Sequence, residues 1–417
     1  MDQNFIALLK EFVAFKSIST NPAFSPEITK TVEWLRNIFS EHNFEVELLQ
    51  GPTCNPIVFA KLQIDTTLPT CLIYGHYDVQ PSDQFELQER DGRLFGRGVV
   101  DNKGQNLIHI YSVCKLIKEN KLKYNVKFLI EGNEETANND LHDLLILHKD
   151  KLKSDIVLVS DGEMINERPT VDASLRGGFN VRLIYRTALN NVHSGIYGGA
   201  IPNAAYEMGN FISNLSPFTD GVDKISEQEI ANNKSVTTDL DTIGVKKQIG
   251  EYDFYTQTGL TPTIQVTGFK SGYIDSGFAN IVPASAEVRL NFRIVSSQKP
   301  QEILSLFEKY VSKKTPKYIE YELSAHGLHN PVKLNTISKL FVSTANILEE
   351  IYTKPVFYQN CGGAIPFISD VKEVFGVDTL SVALANSDCN MHGANENFRI
   401  DLIEKGLRFS QLFFSGH

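Results

Sequence analysis

The chain has 417 residues, of which 42% are hydrophobic and 22% charged, a composition that is typical of a globular protein and excludes a disordered or fibrous one. Because this length exceeds the usual size of one hydrophobic core, two domains are expected. The formal net charge of −10 argues against a nucleic-acid partner, since a nucleic-acid-binding surface needs a basic face to contact phosphates. An anionic substrate is not excluded, because one local arginine is enough to bind it.

The cysteine count and the N-terminal sequence bear on the compartment. Five cysteines without any C-x-x-C spacing argue against a disulfide framework or a structural zinc knuckle, and favour a reducing environment. The first twenty residues carry charges inside their apolar pattern and lack the core of a signal peptide. No segment approaches eighteen uncharged apolar residues, so no membrane span is expected. These features predict a soluble, cytoplasmic protein.

In the first half of the chain, short apolar runs alternate with helix-periodic segments. Two amphipathic helices are predicted before residue 40. Continuous apolar strands that alternate with helices indicate an α/β fold with a mostly parallel sheet covered on both faces. The predicted strands cover residues 44–49, 57–62, 71–74, 126–130 and 156–159, and the helices between them cover residues 103–118 and 141–148.

The pattern changes after Arg176-Gly177-Gly178. Residues 179–185 and 286–294 alternate apolar and polar side chains, as the half-buried strands of an antiparallel sheet do. Further predicted elements are a helix at 204–215, an irregular region at 218–247, a helix at 301–311 and a strand at 318–323.

This change divides the chain into two predicted domains. The larger α/β domain is built from both ends of the chain, residues 1–177 and 329–417. A smaller α+β domain, residues 178–328, is inserted into it. No internal repeat and no low-complexity segment is found.

Chemically versatile side chains follow the predicted strands at their carboxyl ends, where open α/β sheets bind ligands. Five separate strand–loop junctions supply such groups, so the side chains are expected to converge on one edge of the sheet. The junctions contribute His76 and Asp78, Asp101, Glu134 and Glu135, Asp161, and, after the apolar run 379–384, His392.

Imidazole and carboxylate ligands without a thiolate suit zinc, and manganese or cobalt would also fit. A pair of metal ions needs a bridging carboxylate, and Asp101, at the start of a predicted helix, is placed for that role. His76 and Asp161 then complete one metal site, and Glu135 and His392 complete the other. The sequence therefore predicts two Zn²⁺ ions.

Two carboxylates remain for other roles near these metals. Asp78 lies two residues from His76 and is predicted to orient that imidazole. Glu134 is left beside Glu135, and a carboxylate next to a metal-activated water is the general base that a hydrolase requires. The predicted activity is therefore hydrolysis.

Five motifs carry a resemblance to a known family. They are GHYDVQP (75–81), GRGVVDNKG (96–104), EGNEET (131–136), SDGE (160–163) and VHSGIYGGAIPN (192–203). Together they resemble the signatures of the dinuclear zinc aminopeptidase-like clan, and most closely the dinuclear zinc dipeptidases of the family that contains aminoacylases, glutamate carboxypeptidases and carnosinase-like dipeptidases. The resemblance covers nearly the whole chain.

The resemblance implies metal ligands at the five positions already named and a zinc-aminopeptidase-like catalytic domain with an inserted lid and dimerisation domain. It implies that His193 reaches the partner subunit's site in a homodimer and stabilises the oxyanion. Arg293 matches an arginine that holds the substrate's terminal carboxylate, a task that suits a planar guanidinium. Asn280 matches a lid residue near the substrate, and His326 resembles a further substrate-binding histidine.

The sequence departs from the family's pattern at two positions. Ala364 stands in the glycine-rich segment 360–366 where the family usually has serine, which indicates a different preferred dipeptide or a substrate that is not an ordinary peptide. Asn102 stands where aspartate is common, and little effect is expected.

The predicted function is zinc-dependent hydrolysis of the amide bond of dipeptides or small peptides with a free C-terminal carboxylate. An N-acyl-amino-acid deacylase of the aminoacylase or desuccinylase type, with the same site, is the alternative, and a carboxypeptidase-like variant also remains open. A catalytically silent binding protein is disfavoured because Glu134 and the predicted ligands are all present. A dinucleotide loop at Gly96-Arg97-Gly98 is rejected because Asp101 occupies the place of the third glycine.

Overall fold

A computed structural model describes residues 2–136, 138–295, 297–363 and 365–416. The α-helices of this part of the chain are α1 (Gln3–Ala14), α2 (Ser25–Glu41), α3 (Lys103–Lys118), α4 (Leu141–Leu147), α5 (Lys149–Leu152), α6 (Ser194–Tyr197), α7 (Ala204–Ser213), α8 (Glu227–Asn233), α9 (Phe254–Leu260), α10 (Pro300–Lys314), α11 (Lys339–Tyr352), α12 (Pro366–Phe375) and α13 (Ile400–Phe414). Short 3-10 helices cover Pro22–Phe24, Glu134–Thr136 and Asp241–Ile243.

The strands are β1 (Glu45–Leu49), β2 (Ile57–Leu62), β3 (Thr70–His76), β4 (Gln88–Arg90), β5 (Arg93–Phe95), β6 (Asn125–Glu131), β7 (Ile156–Val159), β8 (Thr170–Leu175), β9 (Gly177–Arg186), β10 (Val192–His193), β11 (Thr263–Ser271), β12 (Ile281–Val282), β13 (Ser285–Ile294), β14 (Glu320–His329), β15 (Val332–Lys333), β16 (Phe357–Cys361), β17 (Thr379–Ala383) and β18 (Asn397–Arg399). The strands and helices predicted in the first 160 residues match these elements closely.

The large sheet contains nine of the described strands, in the order β1-β2-β6-β3-β7-β17-β8-β15, with β16 paired to β8. Its centre is parallel, because β3 pairs in parallel with both β6 and β7, and β7 with β17. Its flanks are antiparallel, at β1–β2, β2–β6, β17–β8 and β8–β15. The α/β prediction is confirmed. The sheet is mixed, and the parallel pairing that was expected is found among its central strands.

The apolar character of the central strands explains why they lie inside. All seven residues of β6 and all four of β7 are buried, as expected of strands covered on both faces. Helix α3 is almost wholly buried, packed between β3 and the helices α1 and α13. The main hydrophobic core therefore surrounds the strands whose carboxyl ends carry the predicted functional residues.

A second sheet of four antiparallel strands has the order β11-β13-β9-β14 and its own hydrophobic core under α7 and α10. Alternate residues of β13 are buried, which matches the predicted alternation. Phe179 and Phe292 are directly opposed in the register and their rings stack with centroids 4.5 Å apart. The predicted division of the chain at residues 178 and 328 stays a prediction.

Several elements differ from the sequence-based expectations, and three of them show why. The strand expected at 318–323 runs from Glu320 to His329, and its pairing with β9 shifts between His326 and His329. The edge strand β11 was not predicted, because its mostly exposed residues lack a regular apolar alternation. Helix α8 lies in the region expected to be irregular and begins with a reciprocal cap between Ser226 and Glu229.

Among the described helices, none combines the length and the apolar character needed to cross a membrane.

Candidate metal centre and active site

The parallel strands of the large sheet bring the predicted ligands to one edge. His76 is the last residue of β3, and Asp161 follows β7 by two residues. Glu135 lies in the 3-10 helix after β6, and His392 lies in the loop after β17. Asp101 immediately precedes Asn102, the N-cap of α3. Because β6, β3, β7 and β17 are parallel neighbours, their carboxyl ends meet at the same edge of the sheet.

The five side chains form two groups that share Asp101. His76, Asp101 and Asp161 form the first triad, and Asp101, Glu135 and His392 form the second triad; within each triad the potential ligand atoms lie within 4.8 Å of one another. Oδ1 of Asp101 lies 3.1 Å from Nε2 of His76, and Oδ2 of Asp101 lies 2.7 Å from Nε2 of His392. Each oxygen of one carboxylate thus faces a different triad, which is the geometry of a bridging ligand.

The donor set fits divalent cations. Nε2 of His76 is buried and makes no hydrogen bond of acceptable geometry to any residue that the structure describes, although Asp101 lies close and Oδ2 of Asp161 is 3.6 Å away. A buried imidazole nitrogen that lacks a hydrogen bond and is surrounded by carboxylates is suited to a metal ion, because its lone pair can ligate the ion. The opposite nitrogen, Nδ1, lies 3.0 Å from the carbonyl oxygen of Asp78, an orientation typical of metal-ligating histidines.

The electrostatics of the cluster also favour cations. Burial tends to raise the pKa of Asp101, but the contacts with His392 and His76 lower it well below its usual range. The hydrogen bonds to Asp101 and Glu135 raise the pKa of His392 to about 10. Burial lowers the pKa of His76, but Asp161 and its other acidic neighbours raise it well above its usual value. The same negative field that retains protons on these imidazoles attracts divalent ions, which compete with protons for the nitrogens.

Asp78 acts on the backbone of the acidic turn as well as on His76. Its Oδ1 accepts a hydrogen bond from the Glu134 amide and its Oδ2 one from the Glu135 amide, each at 3.2 Å, and Ser19 Oγ donates to Oδ2 at 2.6 Å. The carboxylate of Asp78 is 3.4 Å from Nδ1 of His76, farther than the Asp78 carbonyl. Asp78 therefore connects the first triad to the turn that carries the predicted general base.

Glu134 lies close to the first triad without belonging to either triad. Burial raises its pKa to about 8, and the nearby His76 acts in the opposite direction. Asp161 and Asp101 are among the acidic neighbours that add to the increase. A carboxyl group in such surroundings can accept and return a proton near neutral pH.

Two further side chains hold predicted metal ligands in place. Sequence reasoning did not assign a role to either of them. Gln80 donates from Nε2 to Oε2 of Glu135 at 2.8 Å, and Asn102 donates from Nδ2 to Oδ1 of Asp161 at 2.6 Å. Gln80 lies within the motif GHYDVQP, and its place in that motif could have indicated a role near the metal ligands. Asn102 was expected to have little effect, yet an aspartate at this position would have no amide to donate to Asp161.

The four residues assigned to the substrate by resemblance lie on the smaller sheet and its adjoining strands. His193 is exposed in β10, where its Nδ1 accepts a hydrogen bond from the Gly195 amide, and Asn280 is exposed beside it. Arg293 is partly buried in β13, and His326 is exposed in β14. Among the described residues, no hydrogen bond or ion pair joins these four side chains to the triads. Ala364 lies outside the described residues.

Arg293 has no carboxylate partner in the described part of the chain. Its Nε donates to Oδ1 of Asn291 at 3.1 Å, and no ion pair within residues 2–136, 138–295, 297–363 and 365–416 involves its guanidinium group. The strand that carries it is paired with β9, so that Arg293 is opposite Gly178. A partly buried guanidinium without an internal carboxylate is free to bind an external one.

A mixed α/β fold with two adjacent carboxylate–histidine triads at the strand ends is suited to a metal-dependent hydrolase. Residues 72–415 match the model of Peptidase family M20/M25/M40. The chain therefore belongs to this peptidase family, which confirms the family resemblance seen in its motifs.

Individual relatives agree with this assignment. A cysteinylglycine-S-conjugate dipeptidase from Corynebacterium striatum is 26% identical over 413 residues, covering 93% of this chain and 90% of the relative. The beta-Ala-His dipeptidase of Homo sapiens is 25% identical, covering 98% of this chain and 89% of the relative. The crystal structure of an M20 family metallo-carboxypeptidase from Sulfolobus solfataricus superposes with a TM-score of 0.88 and 26% identity over 100% of this chain and 99% of that one.

Proposed function

We propose that this protein is a zinc-dependent dipeptidase that hydrolyses the amide bond of dipeptides or small peptides with a free C-terminal carboxylate. The observation that carries the proposal is the Asp101 carboxylate, whose two oxygens face His76 and His392 separately. The names of the two dipeptidase relatives support the substrate class. The acyl-amino-acid deacylase is not favoured by these relatives.

In the proposed site, His76, Asp101 and Asp161 hold one Zn²⁺, and Asp101, Glu135 and His392 hold the other. When bound, two such ions supply an activated water and polarise the scissile carbonyl. Manganese and cobalt would suit the same nitrogen and oxygen donors. Asp78 orients His76 and fixes the turn that carries Glu134, through the hydrogen bonds described above.

Glu134 moves the proton in this proposal. Its carboxylate takes a proton from the attacking water and returns it to the leaving amine, so that an amine rather than an amide anion departs. The position of Glu134 close to the first triad, with its amide held by Asp78, supports this role.

The substrate is held by the smaller domain, residues 178–328, acting as a lid over the catalytic domain of residues 1–177 and 329–417. Arg293 binds the terminal carboxylate in a bidentate manner, with Asn280 and His326 as further substrate contacts. His193 stabilises the oxyanion of the partner subunit's site in a homodimer. The exposure of His193 and the unpaired guanidinium of Arg293 support these roles, because both groups are free to meet a molecule that is not part of this chain.

A cytoplasmic location completes the proposal. All five cysteines are free thiols in the structure. Four of them are buried, and thiols persist in a reducing compartment.

A panel of substrates tests the proposed function. The purified, zinc-loaded protein is assayed against Ala-Ala, N-acetyl-Ala and a longer peptide such as Ala-Ala-Ala-Ala. A dipeptidase cleaves Ala-Ala with the highest kcat/KM. Preference for N-acetyl-Ala would replace the proposal with the deacylase.

Carboxypeptidase activity is the second candidate, because the solved structure from Sulfolobus solfataricus is of a metallo-carboxypeptidase. Release of successive C-terminal alanines from the longer peptide, at a rate comparable to Ala-Ala cleavage, would identify it. Sedimentation of the same sample by analytical ultracentrifugation measures whether a dimer forms.

A further inference from the structure

One buried ion pair contacts two of the three segments that carry the proposed second zinc site, those of Asp101 and His392. Nη1 of Arg97 lies 2.8 Å from Oε2 of Glu396, and the two side chains are only 5% and 1% exposed. They are separated by 299 residues in the sequence. Replacing a buried ion pair by apolar residues is often neutral for stability, so the pair by itself is weak evidence of a stabilising role.

The carboxylate of Glu396 organises the loop that leads into Asp101. Its Oε2 also accepts a hydrogen bond from the Gly98 amide at 2.9 Å. Its Oε1 accepts from the Val100 amide at 2.8 Å and from the Asp101 amide at 3.0 Å. The three bonds from backbone amides are charge-assisted, so they hold the loop backbone more firmly than neutral hydrogen bonds would. The position of Asp101 therefore depends on Glu396.

The guanidinium of Arg97 reaches the backbone at His392. Its Nη2 donates to the carbonyl oxygen of His392 at 3.2 Å and to that of Gly393 at 3.0 Å. His392 has a φ of 61°, in the left-handed region that a non-glycine residue rarely adopts without support from its surroundings. Its side chain is 55% exposed, so packing does little to hold the imidazole. The position of His392 therefore depends on Arg97.

The first triad has other supports. His76 belongs to β3, a central strand, and its Nδ1 is fixed by Asp78. Asp161 accepts a hydrogen bond from Asn102. Arg97 thus contacts the backbone of a ligand that only the second triad uses, while Asp101 is shared by both triads.

We propose that Arg97 and Glu396 are positioning residues: Arg97 sets the affinity of the second triad (Asp101, Glu135 and His392) for its divalent cation, and Glu396 places Asp101, which both triads share. This inference rests on the proposed pair of zinc ions. Groups outside the ligand set that orient the ligands typically change metal affinity by about 10- to 100-fold when they are mutated. Because Arg97 holds His392 alone among the ligands, its replacement weakens the second ion and leaves the first in place.

Arg97→Lys is the main test. Lysine can keep the charge opposite Glu396 but lacks the planar fork that reaches Glu396 and the two carbonyl oxygens together. Metal-free protein is titrated with Zn²⁺ by calorimetry, and the bound zinc is counted by elemental mass spectrometry. The wild-type chain binds two ions, and Arg97→Lys binds the second about 10- to 100-fold more weakly with the first unchanged.

Arg93→Lys is the matched control. Arg93 also joins the two segments, with Nη2 at 2.7 Å from Oδ2 of Asp388 and Nη1 at 2.7 Å from Oδ1 of Asn397, but it contacts side chains and not the His392 backbone. This variant keeps both ions at wild-type affinity. Glu396→Gln provides an independent variant, because an amide offers one acceptor oxygen where the carboxylate offers two. Since Glu396 holds the backbone of the shared Asp101, both ions bind more weakly in this variant.

Circular dichroism melting of each metal-free variant separates positioning from folding. If Glu396→Gln is unfolded, the zinc titration of Arg97→Lys alone tests the inference. Two ions bound at wild-type affinity by folded Arg97→Lys, or equal weakening of both ions in that variant, would overturn the inference while the proposed function stands. A wild-type chain that binds fewer than two ions would overturn the proposed zinc pair and this inference with it.

Discussion

Replacement of Glu134 by glutamine removes the proposed proton carrier and leaves the ligands untouched. Glu134 belongs to neither triad, so the Glu134→Gln protein should still bind two zinc ions. General acid–base catalysis by a positioned side chain contributes about 10²- to 10⁴-fold. At 1.36 kcal/mol for each factor of ten, the barrier should rise by about 3 to 5 kcal/mol. Since glutamine has nearly the same size as glutamate, we expect this loss in kcat with KM little changed.

The assay compares steady-state hydrolysis of Ala-Ala by the wild-type and variant proteins at equal measured zinc content. Glu163→Gln is the matched control, because Glu163 is also a partly buried acid and lies two residues from Asp161. Oε1 of Glu163 accepts a hydrogen bond from Cys389 Sγ at 2.9 Å. Glu163 lies outside both triads, and its replacement should leave kcat within a few-fold of wild type. A zinc-loaded Glu134→Gln protein with undiminished kcat would refute the proposed role of Glu134.

Three further predictions concern the substrate, stability and pH. Arg293→Lys should raise KM for Ala-Ala by about tenfold, because lysine cannot bind a carboxylate in a bidentate manner, and should not raise it for Ala-Ala amide; equal effects on both would contradict carboxylate binding. Phe307→Ala should lower the free energy of unfolding by about 3–5 kcal/mol, because Phe307 is fully buried and its ring centroid lies 5.0 Å from that of Phe292. Chemical denaturation measures this change, and a loss below about 1 kcal/mol would contradict the packing argument. Burial raises the pKa of Asp172 to about 6 from its usual 3.8, so its ionisation opposes folding. The free energy of unfolding of the wild type should therefore fall relative to that of Asp172→Asn as the pH rises from about 4 through 6, by roughly 3 kcal/mol. A stability difference that stays constant across this range would contradict the shift.

Local patterns were sufficient to predict the elements that build the large sheet. Strands such as β2 and β7 are short, apolar and bounded by turn residues, so their ends agree with the prediction. The clustering of ligands could be anticipated because parallel strands end at one edge, a rule that needs no coordinates. The catalytic and metal-binding roles of these residues stay predictions, while the fold and the family are confirmed.

Local patterns were insufficient where an element depends on its neighbours. The edge strand β11 is held by β13 on one side only, and its mostly exposed side chains show no buried face in the sequence. His142 of α4 is partly exposed, and its Nδ1 lies 3.0 Å from Oδ1 of Asp370. That contact joins residues 228 positions apart, and no periodic pattern in the sequence indicates it.

The sequence by itself determined which residue types stand at the strand ends, because side-chain chemistry and the period of buried positions are local properties. Only the tertiary structure decided that the oxygens of Asp101 face two different histidines, and that Arg97 and Glu396 hold the loops that carry Asp101 and His392. Such contacts are set by the distance and direction between segments nearly 300 residues apart. These quantities follow from how the whole core packs and not from any local pattern.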